Sequence, residues 1–278
     1  MTRRRVARNE RIAGMVALVL GLLGMGSERA WAWGPAAQQA VVARAIDTLP
    51  KGLKPFYKNH RLEMPSLALE PSFPEDSPER RFAIDRLMPW PFADVPHTEK
   101  EMKARYGDQA TAIGRLPWLI QDSYAQLVAA FKSGDKVKIL TESDVLALFV
   151  AEVHNPLALT DNADGQKTGQ HGLWIRSSVK LVEAMKDRLK VEPDAARYLD
   201  EPDEYVFSMI EASYVWLDNL LYADLLARKG KAGYGEIFIE SFEMRAGRNV
   251  ADRLSRAAED AGSYWYTAWT AAGRPELN

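Results

Sequence analysis

The 278-residue chain contains no cysteine, which excludes disulfides, thiolate metal ligands and a cysteine nucleophile. Histidine is nearly as scarce, at four residues: His60, His97, His154 and His171. No two of them stand four apart, the spacing that aims two imidazoles from one helix face at a single metal ion. There is no Ser-centred nucleophile elbow and no phosphate-cradling glycine loop, so neither chemistry has a starting point. The apolar run over residues 14–26, 13 residues, falls short of the roughly 20 that a bilayer-spanning helix needs. The chain also lacks internal repeats, low-complexity tracts and the strict alternation of a half-buried strand.

What is present begins with that short apolar run. It follows the basic stretch MTRRRVARNER and precedes SERAWA, with small residues Ala30 and Ala32 around Trp31. These are the three parts of a secretory signal peptide, predicting cleavage after Ala32; an uncleaved anchor is the alternative. The expected organisation is a signal peptide over 1–32 and one exported domain over 33–278, periplasmic or extracellular, with no transmembrane segment after cleavage. The remaining 246 residues are enough for one well-buried core. The leader holds six of the 36 Lys and Arg and two of the 38 Asp and Glu, leaving 30 against 36 and a net charge of −6. A net-acidic body carries no strong nucleic-acid signal and argues against broad capture by anionic membrane, while a local basic patch stays open.

Helical spacing recurs nearly everywhere. Ala36 to Leu49 reads as a first helix. From Leu116, the set Leu119, Ile120, Tyr124, Leu127, Val128 and Phe131 marks one helix face ending near Gly134. Thr141 and Ser143 are candidate N-caps for a helix through Leu146 and Val153, stopped by Pro156. A long helix is predicted from about Asp203 to Lys229–Gly230. Another runs from Glu236 to Ala272, with Gly247 as a possible break. Two stretches interrupt this pattern. Met64 to Pro96 holds seven prolines and no periodicity, and Ala158 to Gly172 is rich in Gly, Asp and Asn. The fold class expected is all-α, a multi-helix bundle with long Pro-rich and Gly-rich loops. Core packing accounts for most tryptophans; Trp90, on the Pro-rich excursion, is a candidate for lining a cleft.

From residue chemistry, the most suggestive cluster is Glu152, His154 and Asn155 at a helix end, followed by the Asp161–Asp164 loop. The plain structural reading of the same residues is a His at the negative end of a helix dipole, then a polar turn.

Several segments in order resemble the zinc-dependent phospholipase C superfamily, which includes the single-strand-specific nucleases. The opening WGPAAQQAVVARAIDTLP is similar to that family's Trp-Gly start, where the free amine and carbonyl of the first residue bind zinc. LPWLIQDSYAQLVAAF, LFVAEVHNPLALTDNADGQKTGQHG and YWYTAWTAAGRPEL resemble further helices and the core signature. The resemblance implies a bundle of the phospholipase C type and a three-zinc centre in which an Asp bridges metals beside the attacking water. Position by position, however, most ligands are replaced. Histidines of the family fall at Gln38, Phe82, Leu148 and Ala158, and the bridging Asp at Glu152. An Asp ligand expected near Glu70 or Ser72 is absent. A later His and acidic ligand fall at His171 and Ile175 in one register, or at Trp174 and Ser178 in the other. Phe82, Leu148 and Ala158 carry no donor atom, and zinc needs three or four.

Three functional readings follow. The first is a catalytically impaired or non-catalytic relative, without a cofactor, binding a small molecule, lipid or protein. The second is an active phosphoesterase, with Glu152 in the catalytic role and zinc held by a rebuilt set drawn from Trp33, Asp85, Glu152, His154 and His171. On residue chemistry alone, Asp85 has an alternative as a helix cap or ion-pair partner of Arg81 or Arg86. The third is a structural periplasmic partner protein, which predicts an exposed apolar patch and no cleft at the Trp33 end.

Overall fold

Proline at the first turn of a helix forfeits only an N–H that would be unpaired anyway, and Pro35 opens α1 (Pro35–Thr48) in this way. The computed structural model describes residues 33–68 and 77–277; the expected leader and the positions Glu70 and Ser72 lie outside the described residues. After α1 come α2 (Lys54–Asn59), α3 (Glu99–Tyr106), α4 (Asp108–Ala112), α5 (Leu116–Ser133) and α6 (Lys136–Val153). Then α7 (Leu173–Ile175) runs through a π-helical stretch, Arg176–Leu181, into α8 (Val182–Met185). The chain ends with α9 (Pro202–Tyr214), α10 (Leu217–Arg228) and the 36-residue α11 (Glu236–Ala271). The protein is all-α, with no strand among the described residues, and none of the described helices is long and apolar enough to cross a membrane.

Helix α11 is the spine, against which α1, α5, α6 and α10 pack. Its inner face combines Ala257, Ala258, Ala261 and Gly262 with Tyr264 and Trp265, all buried. The small residues let α1 approach closely. A Cβ on Gly262 would fall 2.0 Å from Thr48 Oγ1 and 3.1 Å from the Ala45 carbonyl oxygen. Trp265 stacks on Tyr57 at 4.7 Å, and its indole N–H donates to the Ser143 carbonyl at 2.9 Å. Helices α5 and α6 form a hairpin whose turn uses Gly134 in the left-handed conformation, φ 67°, which glycine adopts without a Cβ clash.

Three boundaries differ from the sequence reading. Helix α6 starts earlier than Thr141, because Asp135 accepts the Lys138 N–H at 3.1 Å and caps it. Ser143 is interior, with its hydroxyl 2.6 Å from the Tyr57 hydroxyl. The helix expected from Asp203 onward is two, α9 and α10, parted at Val215–Trp216. Helix α11 passes through Gly247 unbroken. Residues 190–199, for which the sequence offered no expectation, form an extended strap along α11. The backbone N–H groups of Glu192, Arg197 and Leu199 donate to Ser255 Oγ, Ser263 Oγ and Thr267 Oγ1 at 2.9, 3.1 and 3.0 Å. Those hydroxyls recur at spacings of eight and four on one helix face, so side chains satisfy backbone donors that a sheet would otherwise pair.

Candidate functional site

Trp33 and Gly34 are the starting point. The Trp33 indole is buried, 2% exposed, and its N–H donates to the Ala151 carbonyl at 2.7 Å, in the last turn of α6. The Gly34 N–H donates to the Ser178 carbonyl at 3.0 Å. A Cβ at Gly34 would come within 3.2 Å of Val179 Cγ2 and 3.3 Å of Ser178 O, so a larger residue would force the π-helical stretch outward. Asn155 joins the same place: its Oδ1 accepts the Leu157 N–H at 3.1 Å, and its Nδ2 donates to Ser178 Oγ at 2.9 Å. Trp33, Asn155 and Ser178 are therefore assembled from three remote parts of the chain.

The short segment 80–82 lies against the same end of α6. The Phe82 N–H donates to the Ala158 carbonyl at 2.8 Å, and its ring sits edge-on to Trp118. Arg81 places its guanidinium 4.6 Å from the centre of the Trp174 ring. Arg80 donates to Glu152 Oε1, with both residues buried at 6% and 1% exposure. Of the positions aligned with ligands, Phe82 and Ala158 touch directly, while Glu152, Trp174 and Ser178 meet Arg80, Arg81 and Asn155. Leu148 is buried in α6. Gln38 is buried in α1, and neither atom of its amide finds a hydrogen-bond partner among the described residues. Of the two candidate pairs, Ser178 lies beside Gly34, whose N–H it accepts, while His171 is exposed.

The side chains assigned to a rebuilt metal site do not gather. Asp85 accepts from Thr160 Oγ1 at 2.5 Å, from the Asp161 N–H at 2.8 Å and from the Tyr214 hydroxyl at 3.2 Å. It anchors the 158–172 loop in place of the expected pairing with Arg81 or Arg86. Burial, and then the Asp85 charge, push the Tyr214 hydroxyl well above its ordinary range, so it stays a donor. His154 caps α6 and turns the other way, with Nε2 2.9 Å from Asp260 Oδ2 on α11. Asp260 Oδ1 in turn accepts from the Tyr205 hydroxyl at 2.8 Å. His171 contributes its carbonyl to Arg176 Nη1 at 2.6 Å, and the Arg176 guanidinium is clasped by Asp224 at 2.8 and 3.1 Å. Among the described residues no three His, Asp or Glu side chains converge in the manner of a metal site.

The space beside Trp33 is small. A crevice lined by Trp33, Pro156, Trp216, Asn249 and Arg253 leaves about 20 Å³ to the centre of a water molecule, which is room for an ordered water and not for a phosphodiester. Trp90, the expected cleft aromatic, is 52% exposed. The residue missed by sequence reasoning is Arg80. A search for metal donors passes over a cation, and the only signal was an Arg-Arg pair directly ahead of the buried Phe82. Also missed was the concentration of exposed apolar side chains late in the chain. Of the ten large hydrophobic residues exposed among the described residues, six fall within 215–244: Val215, Tyr222, Leu225, Tyr234, Ile237 and Met244. Comparison of the sequence with protein-family models and with curated proteins finds no match.

Proposed function

We propose that this chain is an exported, non-catalytic relative of the zinc-dependent phospholipases C and single-strand nucleases, one whose metal centre has become closed structural core. The observation that carries this reading is the buried contact between the Arg80 guanidinium and the Glu152 carboxylate. A carboxylate out of water needs a positive partner. Zinc would supply that charge in the relatives the sequence resembles; here a side chain supplies it.

The substitution changes the chemistry as well as the charge. Zinc accepts a lone pair from water and lowers its pKa towards 7. A guanidinium is a donor only, stays protonated, and has no open coordination position. A divalent ion about 4 Å from it would meet repulsion of several kcal/mol even at an effective dielectric near 20. Hydrocarbon at Phe82, Leu148 and Ala158 removes donors that could offset that cost. The crevice at Trp33 is also too small for a phosphodiester.

The test is zinc content and hydrolysis of bis(p-nitrophenyl) phosphate, both on protein recovered with Trp33 as its first residue. Substoichiometric zinc after incubation with the metal, and hydrolysis no faster than buffer, is the expected result. Two or more zinc ions per chain, or hydrolysis that Glu152→Ala abolishes, would overturn the proposal.

A further inference from the structure

We infer that the cleft between the end of the strap and the start of α9 binds a small flexible polycation, an alkyl chain carrying ammonium or guanidinium groups. The cleft offers about 330 Å³ and is lined by Arg197, Tyr198 and Asp200 on the strap side and by Glu201, Glu204 and Tyr205 at the start of α9. Its walls are fixed from beneath. The Arg197 and Leu199 N–H groups are held by Ser263 and Thr267 on α11, and the Tyr205 hydroxyl donates to the buried Asp260 at 2.8 Å.

Acidic side chains alone mark an ordinary solvated face, but three further observations point to a cation here. First, the cleft already seats one of its own. The Arg197 guanidinium lies 4.8 Å from the centre of the Tyr205 ring and donates to its hydroxyl at 2.6 Å. Second, that cation does not balance the lining, which sets three carboxylates against it. Glu204 meets His97, while among the described residues neither Asp200 nor Glu201 forms an ion pair. Third, the surrounding field is negative. Asp203, Tyr205, Glu259 and Tyr264 are each pushed above their ordinary range, first by burial and then by a neighbouring carboxylate, Glu204 for Asp203 and Asp260 for the other three. Arg256 pairs with Glu259 at 2.9 Å without reversing that direction.

The lining also carries a second tyrosine, Tyr198, 45% exposed, and a tyrosine ring attracts a cation over its face. A volume of this order holds a small molecule, whereas a stable protein partner needs about 800 Å² of surface on each side. Nucleic acid and anionic membrane meet repulsion from the same carboxylates. Among the described residues no three acidic groups converge on one point. Several N–H donors spaced along a chain therefore suit the cleft better than one metal ion, which needs its oxygens gathered around it. None of the lining residues is aligned with a zinc ligand, so the inference stands apart from the fate of the metal centre.

Titration calorimetry on the exported chain tests it, with agmatine, an ammonium and a guanidinium on one alkyl chain, as the probe. At low salt agmatine should bind with a dissociation constant below about 1 mM, added salt should weaken it, and magnesium chloride at equal ionic strength should bind far less. Asp200→Asn with Glu201→Gln should weaken agmatine binding about fivefold or more, and Tyr198→Ala about threefold. All three positions are exposed, so thermal unfolding should stay unchanged. Absence of agmatine binding at low salt, equal binding of magnesium, or binding untouched by both variants overturns the inference.

Discussion

Asp144 lies near the middle of α6, 2% exposed, and its only hydrogen-bond partner among the described residues is Ser66: Oδ2 accepts from the hydroxyl at 2.8 Å and Oδ1 from the backbone N–H at 3.4 Å. Desolvation outweighs those two bonds and raises its pKa from the ordinary 3.8 to about 6. A carboxyl that holds its proton more tightly when folded favours the folded state at low pH and loses that advantage as pH rises through the folded value. Between 3.8 and about 6, at about 1.4 kcal/mol per pH unit, the loss amounts to about 3 kcal/mol, complete above about pH 7. Asp144→Asn removes the titration and keeps the geometry, since the amide oxygen can accept the Ser66 N–H while the amide nitrogen donates to the hydroxyl. The variant should therefore match the parent near pH 4 and exceed it by about 3 kcal/mol at pH 8, raising Tm by roughly 6–12 °C. Urea unfolding of both proteins across that range isolates the term, because every other group titrates equally in the two. A variant less stable than the parent at pH 8, or a stability difference that does not change with pH, would refute the argument.

Two further outcomes are expected. Arg80→Met should cost about 3–5 kcal/mol by removing a buried cation from the Glu152 carboxylate, whereas Arg80→Met combined with Glu152→Met should recover most of it; equal destabilisation of the single and double variants in urea would contradict the pairing. Gly262→Ala should cost about 1–3 kcal/mol through its collision with Thr48 Oγ1, and much less when Thr48→Ala removes that oxygen, which a double-mutant cycle reads directly.

The bundle was legible because helix signals are local. Gly134 ends α5, Pro156 follows α6, and the apolar stripe around Trp265 marks α11 whatever it packs against. What stayed hidden depends on partners far away in the chain. The break at Val215–Trp216 carries neither Gly nor Pro, and Trp216 instead meets Arg253, its guanidinium 5.5 Å from the ring centre. The strap over 190–199 is held by hydroxyls on a helix some sixty residues later, a pattern that no window on the strap reveals. At the site, the positions aligned with ligands could be named one by one, but their replacements could not. Reading Phe82 and Ala158 as lost donors is a statement about single residues. That Arg80 reaches Glu152 is a statement about two segments seventy residues apart.

A metallocentre and a folded core place opposite demands on the same residues. The centre needs carboxylates and imidazoles turned towards an open position, which leaves them underpaired and costs stability until the ion arrives. The core needs each buried charge closed by a fixed partner. In this protein the charged groups around the end of α6 follow the second demand: Glu152 is met by Arg80, His154 by Asp260, and Asp85 by a hydroxyl, an amide and a phenol. Introducing histidines at Phe82 and Ala158, the positions that the proposed reading aligns with ligands, would therefore not create a metal centre on its own. The Arg80 guanidinium would still repel the ion, and the contacts of His154 and Asp85 would still hold them away. Zinc binding should appear only when Arg80 is neutralised together with the introduced donors, and zinc content of Phe82→His with Ala158→His, with and without Arg80→Met, decides between a site short of ligands and a site closed by its own cation. Uptake by the double variant that keeps Arg80, equal to that of the triple, would show that Arg80 does not bar the ion and that donors alone are lacking.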